Sequence, residues 1–220
     1  MIAADLVRND IAPLHPTDKV YKAFEIMDDY KVHHLPVLEG DTYVGLVKED
    51  DLLDSPDDQL SIKEGSSKLI RASIKFDKHL FNAISTISEF RVSMLPVLDE
   101  EDRYMGYIFP NDIVFEMGNM LSSKIPGAVI VLEVNQNDFH LSQIAQIVES
   151  HDAKIVASYL TSHQNSTRIE VTLRINRTDL TGIIQTLQRY NYTISATYHE
   201  SLHAADLKDR YDNFMKFLNM

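Results

Sequence analysis

Two aspartates, Asp51 and Asp112, each open a run of helix-forming residues just after a short strand that carries a glycine, Gly45 in one case and Gly106 in the other. A carboxylate at a helix start can accept both protons of a cis-diol through charge-assisted hydrogen bonds, which are stronger than neutral ones. The same placement has a purely structural use, because the free N–H groups and dipole of a first helical turn favour an acidic residue by ~0.3–1 kcal/mol. On the residues alone both readings stand.

Other chemistry-bearing residues surround these two in the sequence. Lys48 precedes Asp51 by three positions, where an ammonium can meet a phosphate or pair with a carboxylate, the second being commoner on a surface. Arg71, Lys75 and Arg91 are further candidate phosphate contacts. Nine histidines raise the question of a metal site. His33 and His34 are adjacent, so on a strand they face opposite ways and do not chelate one ion together, and the others show no His-Glu-x-x-His or comparable spacing. No metal site is expected, and solvated surface histidines are the simpler reading. The chain has no cysteine, which excludes disulfides, thiolate nucleophiles and cysteine-ligated zinc or iron–sulfur clusters. A nucleophile elbow, a P-loop and a Gly-x-Gly-x-x-Gly turn are all absent, so a non-enzymatic protein is expected.

The elements that must hold Asp51 and Asp112 come as a duplication. Leu35-Pro36-Val37-Leu38 recurs letter for letter as Leu95-Pro96-Val97-Leu98. With this offset Ala12 falls on Ala72, Leu14 on Ile74, Tyr21 on Phe81 and Lys31 on Arg91. After one extra residue near Glu101, Tyr43 matches Tyr104, Gly45 matches Gly106 and Asp51 matches Asp112. In each copy a helix is expected from an apolar stripe at three-and-four spacing, Val20, Phe24, Met27 and Tyr30 or Leu80, Ile84, Ile87 and Phe90, with Thr17 and Asp77 as candidate caps. An extended run follows, Val32 to Leu38 or Val92 to Leu98, whose proline keeps its predecessor out of the helical region. The next strand is Tyr43 to Val47 or Tyr104 to Phe109, leading into the helix that carries the aspartate.

This paired pattern resembles two CBS domains, tandem regulatory repeats whose signature is a strand with an internal proline followed by Gly-x-x-Ser/Thr-x-x-Asp and a helix. The resemblance implies a module with two clefts for adenosyl ligands such as AMP, ATP or S-adenosylmethionine, regulatory ligands rather than cofactors. It also implies that Asp51 and Asp112 would bind ribose and that the backbones at Leu35-Pro36 and Leu95-Pro96 would flank the adenine. Lys48 and Arg91 join these as the candidate nucleotide-binding set. Lys48 and Phe109 stand where the family has Ser or Thr.

Beyond Ile125-Pro126-Gly127 the periodicity changes. Ala128 to Val134 reads as a strand, Leu141, Ile144, Ala145 and Val148 as a helix face with Asp138 as candidate cap, and Lys154 to Thr161 as a second strand. Arg168 to Ile175 alternates cleanly as a third strand, Leu180, Ile183, Ile184 and Leu187 form a second helix face, and Thr193 to Tyr198 is the last strand. Strand–helix–strand–strand–helix–strand is the ferredoxin-like order. It resembles an ACT domain, which implies amino-acid binding at the loop between first strand and first helix. Asn137 and Asp138 are the candidates there, in a loop that lacks the glycine usual in that family. In the tail, Leu207, Tyr211, Phe214 and Leu218 share one helix face, read as a docking helix.

The expected architecture is therefore mixed α/β and α+β: a CBS repeat over 1–60, a second over 61–122, an ACT-like ferredoxin fold over 126–201 and an amphipathic C-terminal helix over 202–220. The order resembles CBS–ACT regulatory proteins of the acetoin-utilisation type. A count of 21 Lys and Arg against 33 Asp and Glu, net −12, disfavours nucleic-acid partners. No apolar run approaches ~20 residues and no basic, apolar leader opens the chain, so no membrane association and a cytoplasmic location are expected. The expected function is metabolite sensing by a homodimer that acts on a regulated enzyme, and the alternative is a scaffold with degenerate ligand sites.

Overall fold

The computed structural model describes residues 1–66, 68–121, 126–162 and 166–199. The chain divides into two compact units, Met1–Met117 and Gly118–Met220.

In the first unit the duplicated sequence gives duplicated elements. A 3-10 turn at Ala3–Leu6 opens the unit; it buries Ala3, while Leu6 and Val7 pack partly buried against the same core and Ile2 is exposed. Helix α1 (Val20–Tyr30) buries Val20, Ala23 and Met27, and the hairpin β1 (His34–Glu39) and β2 (Thr42–Lys48) follows, leading into the short helix α2 (Glu49–Leu53). A one-turn helix α3 (Ile62–Gly65) lies in the connection between the repeats, closed by Glu64, which accepts from both the N–H and the hydroxyl of Ser61. The second copy runs β3 (Ile74–Lys75), α4 (Leu80–Phe90), β4 (Leu95–Leu98), β5 (Tyr104–Ile108) and α5 (Pro110–Met120).

The helix starts differ from expectation. The N-caps are Lys19 and His79, two residues past Thr17 and Asp77. Asp18 spends its carboxylate on the N–H of His15 and the ammonium of Lys22, while the ring of His79 accepts from the N–H of Phe81. Both helices end alike, on Lys31 and Arg91 in the left-handed conformation at φ 54° and 52°. Tyr30 and Phe90, assigned to the buried stripes, are exposed.

Each repeat's leading segment begins on the other repeat's sheet. Arg8 pairs with Tyr107 of β5, and Ile70 pairs with Leu46 of β2, each through two backbone hydrogen bonds of 2.8–2.9 Å. The segments then cross to their own repeats, Leu14 running parallel to Val37 and Ile74 parallel to Val97. One core consequently mixes Leu35, Val37 and Leu46 from the first copy with Ala72, Val92, Met94 and Tyr107 from the second.

The second unit is a four-stranded antiparallel sheet in the order β7-β8-β6-β9, from β6 (Ala128–Asn135), β7 (Ile155–Ser162), β8 (Arg168–Ile175) and β9 (Thr193–His199). Helices α6 (Leu141–Glu149) and α7 (Thr181–Arg189) cover one face. Ile169, Val171, Leu173 and Ile175 alternate into that core as their spacing requires. This is the ferredoxin-like arrangement. His140, not Asp138, is the N-cap of α6, because 136–138 close into a 3-10 turn first. The expected C-terminal helix lies outside the described residues.

Candidate functional site

Strand β5 ends at the head of α5, and there the packing brings Asp112 against the opening segment of the chain. The Arg8 guanidinium donates to Asp112 Oδ1 at 2.5 Å and lies 5.6 Å from the centre of the Phe109 ring. Phe109 in turn stands edge-on to Tyr107. Arg8 is fixed there by its own backbone pairing with Tyr107, whose hydroxyl donates to Asp10 Oδ1 at 2.6 Å. The bond from Tyr107 holds the Asp10 carboxyl below its ordinary range, and the hydrogen bond to Asp112 raises the Arg8 guanidinium. Asp112 Oδ2 is buried and has no hydrogen-bond partner. Beside it lies a cleft of about 280 Å³ lined by Asp5, Leu6, Val7, Arg8, Asp112, Phe115 and Glu116.

The first repeat arranges the matching positions otherwise. Lys48 pairs with Asp50 rather than with Asp51, and this hydrogen bond raises the ammonium and lowers the Asp50 carboxyl. Asp51 itself has no hydrogen bond or ion pair among the described residues. Next to it, His33 Nδ1 lies 2.5 Å from Glu49. His34, expected at the surface, is buried. Its Nδ1 accepts from the N–H of Ser93, and the Ser93 hydroxyl accepts from the N–H of His33, which joins the two repeats. Burial pushes the His34 imidazole down. A cleft of about 250 Å³ is lined by Pro16, Val37, Glu39 and Val44 of this repeat and by Lys68 and Leu69 from the segment leading into the second, among others.

The remaining candidates are scattered. Leu35, Pro36, Leu95 and Pro96 are buried strand residues whose side chains belong to the core. Pro36 O accepts from the N–H of Leu14. Arg91 is exposed and serves α4 as its left-handed terminus. Lys75 donates to the carbonyl of Asp99 and to Asp102, which ties down a turn. Arg8 was missed. Its signal was present, since the offset that aligns the repeats places it on Lys68, but nothing local marks its partner.

In the second unit Asp138 lines a cleft of about 480 Å³ with Asn135, His140, Gln143, Arg168 and Tyr192. The Tyr192 hydroxyl donates to Gln143 at 2.7 Å and Arg168 pairs with Glu133. Asn137 is outside this lining, its N–H donating to Asn135 Oδ1. No group of three or more metal-ligating side chains occurs among the described residues.

A protein-family model for the CBS domain matches the chain twice, over residues 3–58 and 70–119. The chain carries a tandem CBS domain pair. The crystal structure of a CBS domain pair/ACT domain protein from Thermotoga maritima superposes with a TM-score of 0.51 at 23% identity, covering 56% of this chain and all of that one. That likeness concerns the fold. A crystal structure of CBSX2 in complex with AMP aligns at 21% identity and a TM-score of 0.47 over 54% of this chain and 96% of that one. The inosine-5'-monophosphate dehydrogenase of Methanocaldococcus jannaschii is 29% identical over 113 residues, 51% of this chain and 23% of that enzyme. The CBS chain thus spans about a quarter of the length of this curated relative. Among the described residues no helix is long and apolar enough to cross a membrane.

Proposed function

We propose that the CBS pair is a non-catalytic regulatory module that binds an adenosyl nucleotide, with Asp112 taking the ribose. The supporting observation is the buried, unpartnered Oδ2 of Asp112 beside an open cleft. A buried acceptor without a donor costs ~1–3 kcal/mol, which an incoming hydroxyl recovers. Ligand entry opens the Arg8–Asp112 pair: Asp112 turns both oxygens to the diol, and Arg8, half exposed, takes the phosphate as a planar, forked donor. Asp51, unengaged at the equivalent position, is the matching group of the first repeat. A sensor then requires that the nucleotide favour one arrangement of the protein over another.

The ferredoxin-like unit is read as ACT-like, taking an amino acid or pairing subunits at the cleft that Asp138 lines. Homodimer formation is supported by Leu53 and Val114, the same position in the two repeats, which are 67% and 65% exposed, with Phe115 beside the latter at 73%. Light scattering should give twice the chain's mass, and a monomer would remove this part of the reading. We assign the domains to 1–60, 61–122, 126–201 and 202–220, and place the protein in the cytoplasm.

The test is thermal unfolding with AMP, ADP, ATP, S-adenosylmethionine, NAD and the amino acids. A ligand at a hundredfold its dissociation constant adds about 2.7 kcal/mol. Asp112→Asn should abolish that gain for the nucleotide that produces it. A flat panel favours the second reading, a scaffold whose clefts are filled from within, for which the Phe109 ring beneath Arg8 is the specific support.

A further inference from the structure

The connection between the repeats encloses a cleft that the nucleotide reading leaves unused. Its volume is about 250 Å³, and Asp51 is not part of its lining. Helix α3 makes one wall. The N–H of Ile62 donates to the carbonyl of Asp18 at 2.8 Å and that of Lys63 to the carbonyl of Pro16 at 3.0 Å, which fixes α3 against the lead into α1. The segment that crosses into the second repeat makes the other wall. Ile70 pairs with Leu46 through two backbone hydrogen bonds, and Leu69 packs so closely on β2 that a Cβ at Gly45 would lie 2.6 Å from Leu69 Cβ. Both walls are held by the fold itself, so the cleft is formed before any ligand arrives.

Floor and rim differ in chemistry. Val37 and Ile62 are 1% exposed, and Pro16, Val44 and Leu69 are half-buried, which makes the floor apolar. Lys63, Lys68 and Glu39 are exposed at the rim. Among the described residues none of these three makes an ion pair. Two ammoniums against one carboxylate give the mouth a positive balance on a chain of net −12. An anionic group is drawn to such a mouth, and an apolar body gains by covering the floor. The matching positions of the second repeat are engaged within the protein. Asp99, at the position of Glu39, pairs with Arg103, and Phe76, at the position of Pro16, packs its ring against the second core.

We propose that this cleft binds a small carboxylate with an apolar body, of the kind shared by leucine, phenylalanine and their 2-oxo acids. The carboxylate lies between Lys63 and Lys68, and the body rests on Val44 and Leu69. Pockets for drug-sized ligands run to ~300–1,000 Å³, and this one falls below them, which suits an occupant of amino-acid size. Glu39 sets the distinction within the class, because an α-ammonium gains a partner there and a 2-oxo group does not. The occupant touches the first repeat and the segment leaving it for the second, so binding stiffens the connection between them.

Isothermal titration of the full chain with leucine, phenylalanine, 4-methyl-2-oxopentanoate and phenylpyruvate tests this. At least one probe should bind saturably and acetate should not. Lys63→Gln and Lys68→Gln should each weaken that probe about tenfold, since each removes one charge-assisted bond. Both positions are exposed, and an unchanged melting temperature without probe shows that the fold survives. Glu39→Gln separates the two sources: it weakens an amino acid and leaves a 2-oxo acid unaffected. Asp138→Asn, in the cleft of the second unit, should change nothing. The absence of saturable binding by all four probes overturns the proposal. So does binding that Asp138→Asn removes and the lysine variants leave intact, which moves the ligand to the ferredoxin-like unit, or acetate binding as tight as the probes, which removes the apolar floor from the site.

Discussion

The two CBS repeats share a skeleton and differ in what they do with it. Tyr43 and Tyr104 are equivalent, yet the Tyr43 hydroxyl donates to the carbonyl of Ala72 at 2.8 Å while that of Tyr104 is buried without a partner. Lys48 and Phe109 are equivalent, yet the lysine pairs with Asp50 and the phenylalanine supports a cation from the far end of the repeat pair. Asp51 is unengaged and Asp112 is half engaged. Duplication preserves what the core demands, the Leu-Pro-Val-Leu strand and the paired glycines. It leaves the cleft walls free to diverge, and divergence puts an arginine in one cleft and none in the other.

The largest expected effect falls where the repeats are most alike. Leu35→Ala and Leu95→Ala each remove a fully buried side chain and should each cost ~2–5 kcal/mol in denaturant unfolding. Because the cores interpenetrate, both variants should unfold in one shared transition, and separate transitions for the two repeats would break the comparison. Next come the glycines, both at left-handed φ, 156° at Gly45 and 143° at Gly106. A Cβ at Gly106 would lie 2.2 Å from the backbone oxygen of Arg8, and one at Gly45 would lie 2.6 Å from Leu69 Cβ. Gly106→Ala should therefore be the worse by about 1 kcal/mol and should loosen the segment that carries Arg8.

Smaller still is a change confined to the second cleft. Arg8→Gln should weaken AMP about tenfold while leaving adenosine affinity little changed, since only the phosphate loses its partner. Equal losses for both ligands would return Arg8 to a structural role. The smallest effect is pH dependence at the seam. His34 has its folded pKa depressed by burial from an ordinary 6.5, so between these values the unfolded chain holds more protons than the folded one. Stability should be unaffected above that range and fall as pH drops through 6.5 toward the folded value. In a melting series, His34→Gln should flatten this slope.

Much of the fold was legible because it rests on periodicity. Arg168–Ile175 lies where its alternation puts it, and the repeat offset located both hairpins, though not the short strand Ile74–Lys75. Caps were less legible. Thr17 and Asp77 have capping side chains, but the helices begin two residues later, on residues selected by tertiary hydrogen bonds. His34 shows the limit of period-two reasoning, which separates it from His33 without saying which of the two faces inward. The candidate site was legible in its carboxylates and not in Arg8, whose partner is 104 positions away and is set by the crossing of segments between sheets. No local pattern encodes a contact of that range.

That crossing bears on how such a module arises. Arg8 on β5 and Ile70 on β2 mean that neither half closes its own sheet, so a solitary half would present an unpaired strand edge and an incomplete interior. An ancestor of half this length would have had to live as an exchanged pair, each molecule lending its first residues to its twin. Carried on one chain, that exchange no longer depends on concentration, and the two halves are free to differ, as they do at Arg8 and Lys68.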